Sequence, residues 1–207
     1  MILLSVAYLA PIEYYRLIAN NPNVLIEQYE NYTKQSYRNR CYIYGANGRQ
    51  MLNLPVMKEA SSKVLTRDIR IDYSTMWQNV HRKSVEAAYR HSPYFEFYSD
   101  EIMQFYFMKP SFLLDYNLKL QETVMKLIGI DSEIRLTDHY LHKKDNSISD
   151  FREVIHPKKK FRTNESNNII KEYTQVFSQK HSFLPNLSII DLIFNKGPES
   201  YMYLKAV

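Results

Sequence analysis

Basic and amide side chains concentrate early in the chain, and they are the residues best suited to chemistry. Lys34, Arg38, Asn39 and Arg40 stand close together, just before a short apolar run. Guanidinium groups bind phosphate and carboxylate through paired hydrogen bonds. On an extended strand Arg38 and Arg40 would project from the same face. We therefore predict an anion-binding site here, with a solvated basic loop as the alternative.

Histidines are the next candidates for chemistry. His139 stands beside Asp138 near the end of a predicted strand and is the first candidate for a general base. His81 shares a predicted helix face with Trp77 and is the second. A structural role is the alternative for both. No histidine pair has a zinc-motif spacing, and Cys41 is the single cysteine, so we predict no metal and no cofactor.

Glycine is scarce, with four in the chain, and no glycine-rich phosphate loop or nucleophile elbow is present. This argues against dinucleotide-binding enzymes with the glycine fingerprint, P-loop enzymes and α/β-hydrolases. The net charge of +5 is a mild excess, and the lysine run at 158–160 is typical of a solvated loop. We predict no nucleic-acid partner.

The elements that position these residues begin with a strand over Ile2–Tyr8, a helix opened by Pro11, and a strand over Val24–Glu27. Strand, helix and strand in this order indicate a parallel βαβ unit. Two apolar runs around the turn at 45–48 then predict a β-hairpin, which would hold the arginines rigidly. Alternating residues predict another strand over Val64–Tyr73.

The rest of the chain completes a single α/β domain over residues 1–207, a mixed sheet with flanking helices around Trp77 and Leu118. Residues 142–168 are polar and predict a mobile loop. Ser188 to Asn195 predicts a helix with Ser188 as N-cap. This helix is apolar on most sides, so a buried Asp191 would need a basic partner, Arg38 or Arg40. The alternative is a purely structural role, in which Asp191 completes the cap of the helix.

No stretch approaches the roughly 20 apolar residues of a membrane span. The apolar opening is too short for a signal peptide and has no basic residues before it. A single cysteine fits a reducing compartment. We therefore predict a cytoplasmic protein. The sequence leaves its oligomeric state open.

Several stretches together resemble the WbqC-like proteins of bacteria. They include YLAP at 8–11, YRNR at 37–40, IDY at 71–73 and NLSIIDLIFN at 186–195. The resemblance implies a role in surface-polysaccharide (O-antigen) assembly, with glycine or aminoacyl transfer to a sugar. The site residues that it implies are Arg38, Asn39, Arg40, Asp72, Trp77, His81, Ser188, Asp191 and Asn195.

Three functions stay open. The leading one is an acyl- or aminoacyl-transferase acting on a nucleotide-linked or lipid-linked sugar. In it Arg38 and Arg40 bind phosphate, Trp77 stacks on the ligand, and His139 or His81 acts as base, with Asp191 a further catalytic candidate. The partner would be a sugar nucleotide or an activated acyl donor. The alternatives are a non-catalytic sugar-nucleotide or protein-binding module, and a nucleotidyltransferase-like fold without the usual His-x-Gly-His after the first strand.

Overall fold

A parallel sheet forms the first layer of the molecule, in a computed structural model that describes residues 1–58, 63–142, 147–159 and 170–205. The first strand, β1 (Ile2–Ser5), pairs in parallel with β2 (Asn23–Glu27). Helix α1 (Ile12–Ala19) makes the crossover between them, as parallel neighbours require. The predicted βαβ opening is confirmed, although β1 ends at Ser5 rather than at Tyr8.

A separate antiparallel sheet follows. Strands β3 (Arg40–Gly45) and β4 (Gly48–Asn53) pair along their whole length around a two-residue turn. Gly48 has a φ of +97°, a conformation that glycine adopts without strain. The predicted hairpin is confirmed, and it stands beside the parallel sheet rather than extending it.

Three long helices then lead back to the parallel sheet. They are α2 (Trp77–Tyr89), α3 (Phe95–Met103) and α4 (Leu113–Ile128). Gly129 ends α4, with a φ of +80° that glycine adopts readily. None of the helices in the described ranges is long and apolar enough to cross a membrane.

Two later strands complete the parallel sheet. Strand β5 (Glu133–Leu136) pairs with β2, and β6 (Ser149–Asp150) pairs with β1, so the strand order is β5, β2, β1, β6. Three short helices end the described chain: α5 (Ser178–His181), α6 (Ile189–Lys196) and α7 (Ser200–Leu204). The predicted α/β class is confirmed.

Two predicted segments differ from the observed structure. Val64–Tyr73 is not a strand, because it forms a 3-10 turn over Thr66–Asp68 and only single bridges to neighbouring segments. Burial does alternate in this segment, since Ile69 and Ile71 are buried on either side of the exposed Arg70, but both side chains pack within a loop. Within the predicted mobile loop, residues 147–159 contribute β6, whereas 143–146 and 160–168 lie outside the described residues.

Candidate functional site

A buried ion pair occupies the carboxyl end of β1, at the edge where open parallel sheets usually bind ligands. Arg38 Nη2 lies 2.6 Å from one carboxylate oxygen of Glu30, and Arg38 Nε lies 2.9 Å from the other. Ser5 Oγ accepts from Arg38 Nη2 at 2.9 Å and donates to Glu30 at 3.1 Å. Arg38 and Glu30 are both buried, so each compensates the other in place of water.

A second cluster surrounds Glu27, the last residue of β2, which is fully buried. Its carboxylate accepts from Thr137 Oγ1 at 2.8 Å, from the Leu141 main-chain N–H at 2.9 Å and from Arg152 Nη1 at 3.0 Å. Arg152 also donates to Asp150 on β6, through Nη2 at 2.7 Å and Nε at 3.0 Å. This cluster ties together the carboxyl ends of β2, β5 and β6.

The two clusters fill the place where a ligand would be expected. The strand order reverses between β1 and β6, and Arg38 and Arg152 line the crevice at that point. Its volume is about 20 Å³, which is room for about one water molecule. Because carboxylates of the same chain already hold both guanidinium groups, this crevice joins the strands and has no space for a substrate.

A much larger cavity lies at the base of the hairpin. This hairpin cavity has a volume of about 1170 Å³, slightly above the range of about 300–1,000 Å³ that is typical of small-molecule sites. Its polar wall includes Tyr32, Lys34, Asn39, Arg40, Lys58 and Asp72. Four of the predicted binding residues, Lys34, Asn39, Arg40 and Asp72, therefore share one cavity.

The charge of the hairpin cavity is mainly positive, because Lys34, Arg40 and Lys58 face a single carboxylate. That carboxylate, on Asp72, accepts the main-chain N–H of Ser74 at 2.8 Å, which lowers the pKa of Asp72. Arg40 forms no ion pair within the described part of the chain, and its Nε is buried without a hydrogen-bond partner. An anionic ligand would compensate this charge.

Asn39 and Tyr32 add polar groups to the same wall. Asn39 Nδ2 donates to the Leu54 carbonyl at 2.8 Å, and Asn39 Oδ1 is buried without a partner. Burial raises the pKa of Tyr32 to about 12, against the opposing effect of Arg38 and Arg40. The phenol is therefore protonated at neutral pH, and the charges of both Arg38 and Arg40 act on it.

Trp77 and His81 lie together at the start of α2, with ring centroids 5.2 Å apart, as their spacing predicts. His81 Nδ1 lies 3.0 Å from the Tyr8 hydroxyl, which is 3.3 Å from the Tyr106 hydroxyl. Burial lowers the pKa of His81 to about 4, so its ring is neutral at pH 7. Neither Trp77 nor His81 lines the hairpin cavity, and both line a neighbouring groove of about 350 Å³ between α2 and β4.

The predicted pairing of Asp191 with Arg38 or Arg40 is wrong. Asp191 is fully buried on α6, where its Oδ2 accepts from the Tyr173 hydroxyl at 2.6 Å and from Gln175 Nε2 at 2.8 Å. Burial raises the pKa of Asp191 to about 6, although these hydrogen bonds oppose the shift. Neutral donors therefore take the place of the expected cation, and Asp191 forms no ion pair with either arginine.

The other predicted residues are also outside the hairpin cavity. Ser188 is the N-cap residue of α6, as predicted, but its Oγ donates to the Leu9 carbonyl at 2.7 Å and accepts no hydrogen bond from the start of the helix. Asn195 Nδ2 donates to the Asp191 carbonyl at 2.7 Å, one helical turn back. His139 is exposed in the loop after β5. In the described ranges, no three His, Cys, Asp or Glu side chains are grouped as metal ligands.

Of the two clusters at the carboxyl ends of the parallel strands, the sequence indicated Arg38 but not Glu27, Glu30 or Arg152. Glu27 and Arg152 are separated by 125 positions, so no local spacing connects them. One available signal was the position of Glu27, an acidic residue that directly ends an apolar parallel strand, where a carboxylate needs a buried partner. Glu30 follows in the next loop without any such signal.

Comparison with known proteins identifies the family. The WbqC-like protein family matches residues 7–156 and 152–203. A relative from Mycobacterium tuberculosis (strain ATCC 25618 / H37Rv), named "Uncharacterized protein Rv1507c", is 24% identical over 215 residues, which cover 93% of this chain and 91% of the relative. No solved structure gives a significant match. Since the family match extends over nearly the whole sequence, this chain belongs to the WbqC-like protein family.

Proposed function

We propose that the hairpin cavity binds an anionic small molecule, and that a sugar nucleotide or an activated acyl donor is the class of ligand it takes. The observation that carries the proposal is Arg40, a cation with no ion-pair partner in the described structure, on a wall that also holds Lys34 and Lys58. A diphosphate offers oxygens for the planar guanidinium and for both ammonium groups. A volume of about 1170 Å³ suits a ligand of this size.

The transferase role rests on this binding and on the family resemblance to proteins of polysaccharide assembly. In acyl or aminoacyl transfer, a sugar hydroxyl or amine attacks the carbonyl carbon of the donor. A base takes the proton of the attacking group, and the leaving group departs with that proton or another. His81 is the candidate base because its groove adjoins the hairpin cavity, since Asn53 lines both. Its ring is neutral at pH 7 and can accept a proton.

A non-catalytic binding module is the second candidate. It is supported by the positions of His81, His139 and Asp191, since none of these three catalytic candidates lines the hairpin cavity. The third candidate, a nucleotidyltransferase-like enzyme, is supported by the parallel strand order alone. The crevice at the end of β1, where that chemistry would take place, is closed by the Arg38 and Arg152 clusters.

The binding proposal is tested by titration calorimetry with uridine diphosphate glucose, pyrophosphate and glucose. We expect the two anions to bind and the neutral sugar not to bind. Arg40→Gln should weaken binding of both anions by about 10- to 100-fold, since hydrogen bonds to charged groups are worth about 1.5–3 kcal/mol. Arg135→Gln removes an exposed arginine on β5 and serves as the matched control. Binding that is unchanged in Arg40→Gln would overturn the proposal.

Turnover then separates the enzyme from the binding module. Uridine diphosphate glucose is incubated with an activated glycine donor, and the sugar product is analysed by mass spectrometry. Formation of a glycyl sugar that His81→Gln abolishes, with binding intact, supports the transferase. Binding without any product supports the module.

A further inference from the structure

One edge of the hairpin has no partner strand. In the described structure β4 pairs with β3 alone. Gly45 pairs with Gly48 across the two-residue turn, and hydrogen-bonded and open pairs alternate from there. The main-chain N–H and C=O groups of Arg49 and Met51 therefore turn away from β3. No hydrogen bond of these groups to the described residues is found.

The opposite strand confirms this alternation. The Tyr44 N–H, across from Arg49, bonds to the Tyr89 hydroxyl at 3.0 Å. The Tyr42 carbonyl, across from Met51, accepts the Ser188 N–H at 2.7 Å. The outer edge of β3 is thus covered by the rest of the fold, whereas the outer edge of β4 is left open at the two matching positions.

A groove runs along this open edge. Two adjoining hollows of about 700 and 350 Å³ lie between β4 and α2, and Gln50, Val80 and Ser84 line both, so we treat them as one edge groove. Its rim is unusually apolar for a surface, since Met51, Met76 and Val80 are 48, 74 and 58% exposed. An unpaired strand edge beside exposed apolar side chains is a surface that folded proteins usually protect.

The edge groove is also positively charged. Arg49 and Lys83 line it near the hairpin turn, and no carboxylate lines either of its parts. At the other end of the edge groove, the main chain of Asn53 is hydrogen-bonded to the His81 ring. The available edge is therefore the stretch over Arg49 and Met51, with cations at one end and methionines along its side.

We propose that the edge groove binds an extended acidic peptide segment of a partner protein, which adds a strand to β4. The peptide would exchange main-chain hydrogen bonds with Arg49 and Met51, in the mode by which exposed sheet edges recognise peptides. Its alternate apolar side chains would cover Met76 and Val80, and its acidic residues would meet Lys83. The inference does not rest on anion binding in the hairpin cavity, because Arg49, Met51 and Lys83 do not line that cavity, although Asn53 lines both.

The test uses a fluorescently labelled, capped peptide in which valine and threonine alternate before a pair of glutamates. Met51→Pro removes the outward N–H of β4 and leaves the pairing with β3 intact, and Met51→Leu is its matched control. We expect anisotropy to show binding to the wild type and to Met51→Leu, and binding at least about tenfold weaker to Met51→Pro. Hydrogen exchange should show that the peptide protects the Arg49 and Met51 amides.

A second variant tests the proposal independently, in case Met51→Pro does not fold. Lys83→Glu changes an exposed residue of α2 and should also weaken binding of the acidic peptide, while a peptide ending in two lysines should bind Lys83→Glu better than it binds the wild type. Absence of peptide binding to the wild type overturns the proposal, as does equal binding to Met51→Leu and a folded Met51→Pro. Dimerisation of the chain that Met51→Pro abolishes would show that a second copy occupies the groove, which also overturns it.

Discussion

Replacing Asp191 by asparagine should change how stability depends on pH. Burial raises the pKa of Asp191 from its usual 3.8 to about 6. Because the folded-state pKa is the higher one, the stability contributed by this group is fully present below pH 3.8 and is lost as the pH rises through about 6. At about 1.36 kcal/mol per pKa unit, the loss over this window is about 3 kcal/mol.

Asp191→Asn keeps the shape of the side chain and an oxygen that can accept from Tyr173 and Gln175, but it does not ionise. The free energy of unfolding of the variant, relative to the wild type, should therefore rise by about 2.4 kcal/mol between pH 4 and pH 7, which is most of the full change. The new amide N–H₂ adds a pH-independent cost of about 1–3 kcal/mol where it lacks an acceptor. The prediction is therefore the change with pH of the difference in unfolding free energy between the variant and the wild type, and not the size of that difference at one pH.

The measurement is urea unfolding followed by the fluorescence of Trp77, the single tryptophan, at intervals between about pH 4 and pH 8. The phenols of Tyr44, Tyr89 and Tyr173 interact with Asp191, and their raised pKa values keep them protonated throughout this range. Asp131→Asn, at an exposed carboxyl, is the control and should give a flat difference. Parallel pH curves for the wild type and Asp191→Asn would refute the reasoning.

Two further predictions concern the arginines Arg38 and Arg40 and the buried cysteine Cys41. Arg38→Met should lower the free energy of unfolding by about 3–5 kcal/mol, because it leaves Glu30 buried and unpaired. Arg40→Met should cost less than about 1 kcal/mol in the same urea titration, and equal losses would contradict the assignment of Arg38 to the fold and Arg40 to the ligand. Burial raises the pKa of the Cys41 thiol, so Ellman's reagent should react with it only on unfolding, and prompt labelling of the native protein would contradict its burial.

Local pattern accounts for the parts of the fold that were predicted correctly. Two apolar runs separated by a helix-starting proline predict the βαβ opening. The glycines of the turn predict the hairpin. Strand β6 was not predicted, because its two residues lie in a polar segment where no apolar run indicates a strand. Val64–Tyr73 was wrong because alternating burial arises in a packed loop as readily as in a ladder.

Part of the candidate site could also be predicted from local sequence pattern. Lys34, Asn39 and Arg40 are neighbours along the chain, so their common cavity follows from local folding of the loop before β3. Asp72 joins them only through the tertiary fold, and the family resemblance was what pointed to it. The pairing of Asp191 failed because a buried carboxyl can be satisfied by neutral donors such as Tyr173, which spacing does not reveal.

The cluster around Glu27 has a consequence for the order of folding. Glu27 and Arg152 are far apart in the chain, and β6 is held to β1 by only two residue pairs and by the Arg152 contacts. Closing so long a loop is entropically costly, so β6 should dock late, after the hairpin and helices have condensed. During synthesis Glu27 therefore lacks its cationic partner until Arg152 has left the ribosome. The amino-terminal half of the chain consequently should not form a stable folding unit of its own.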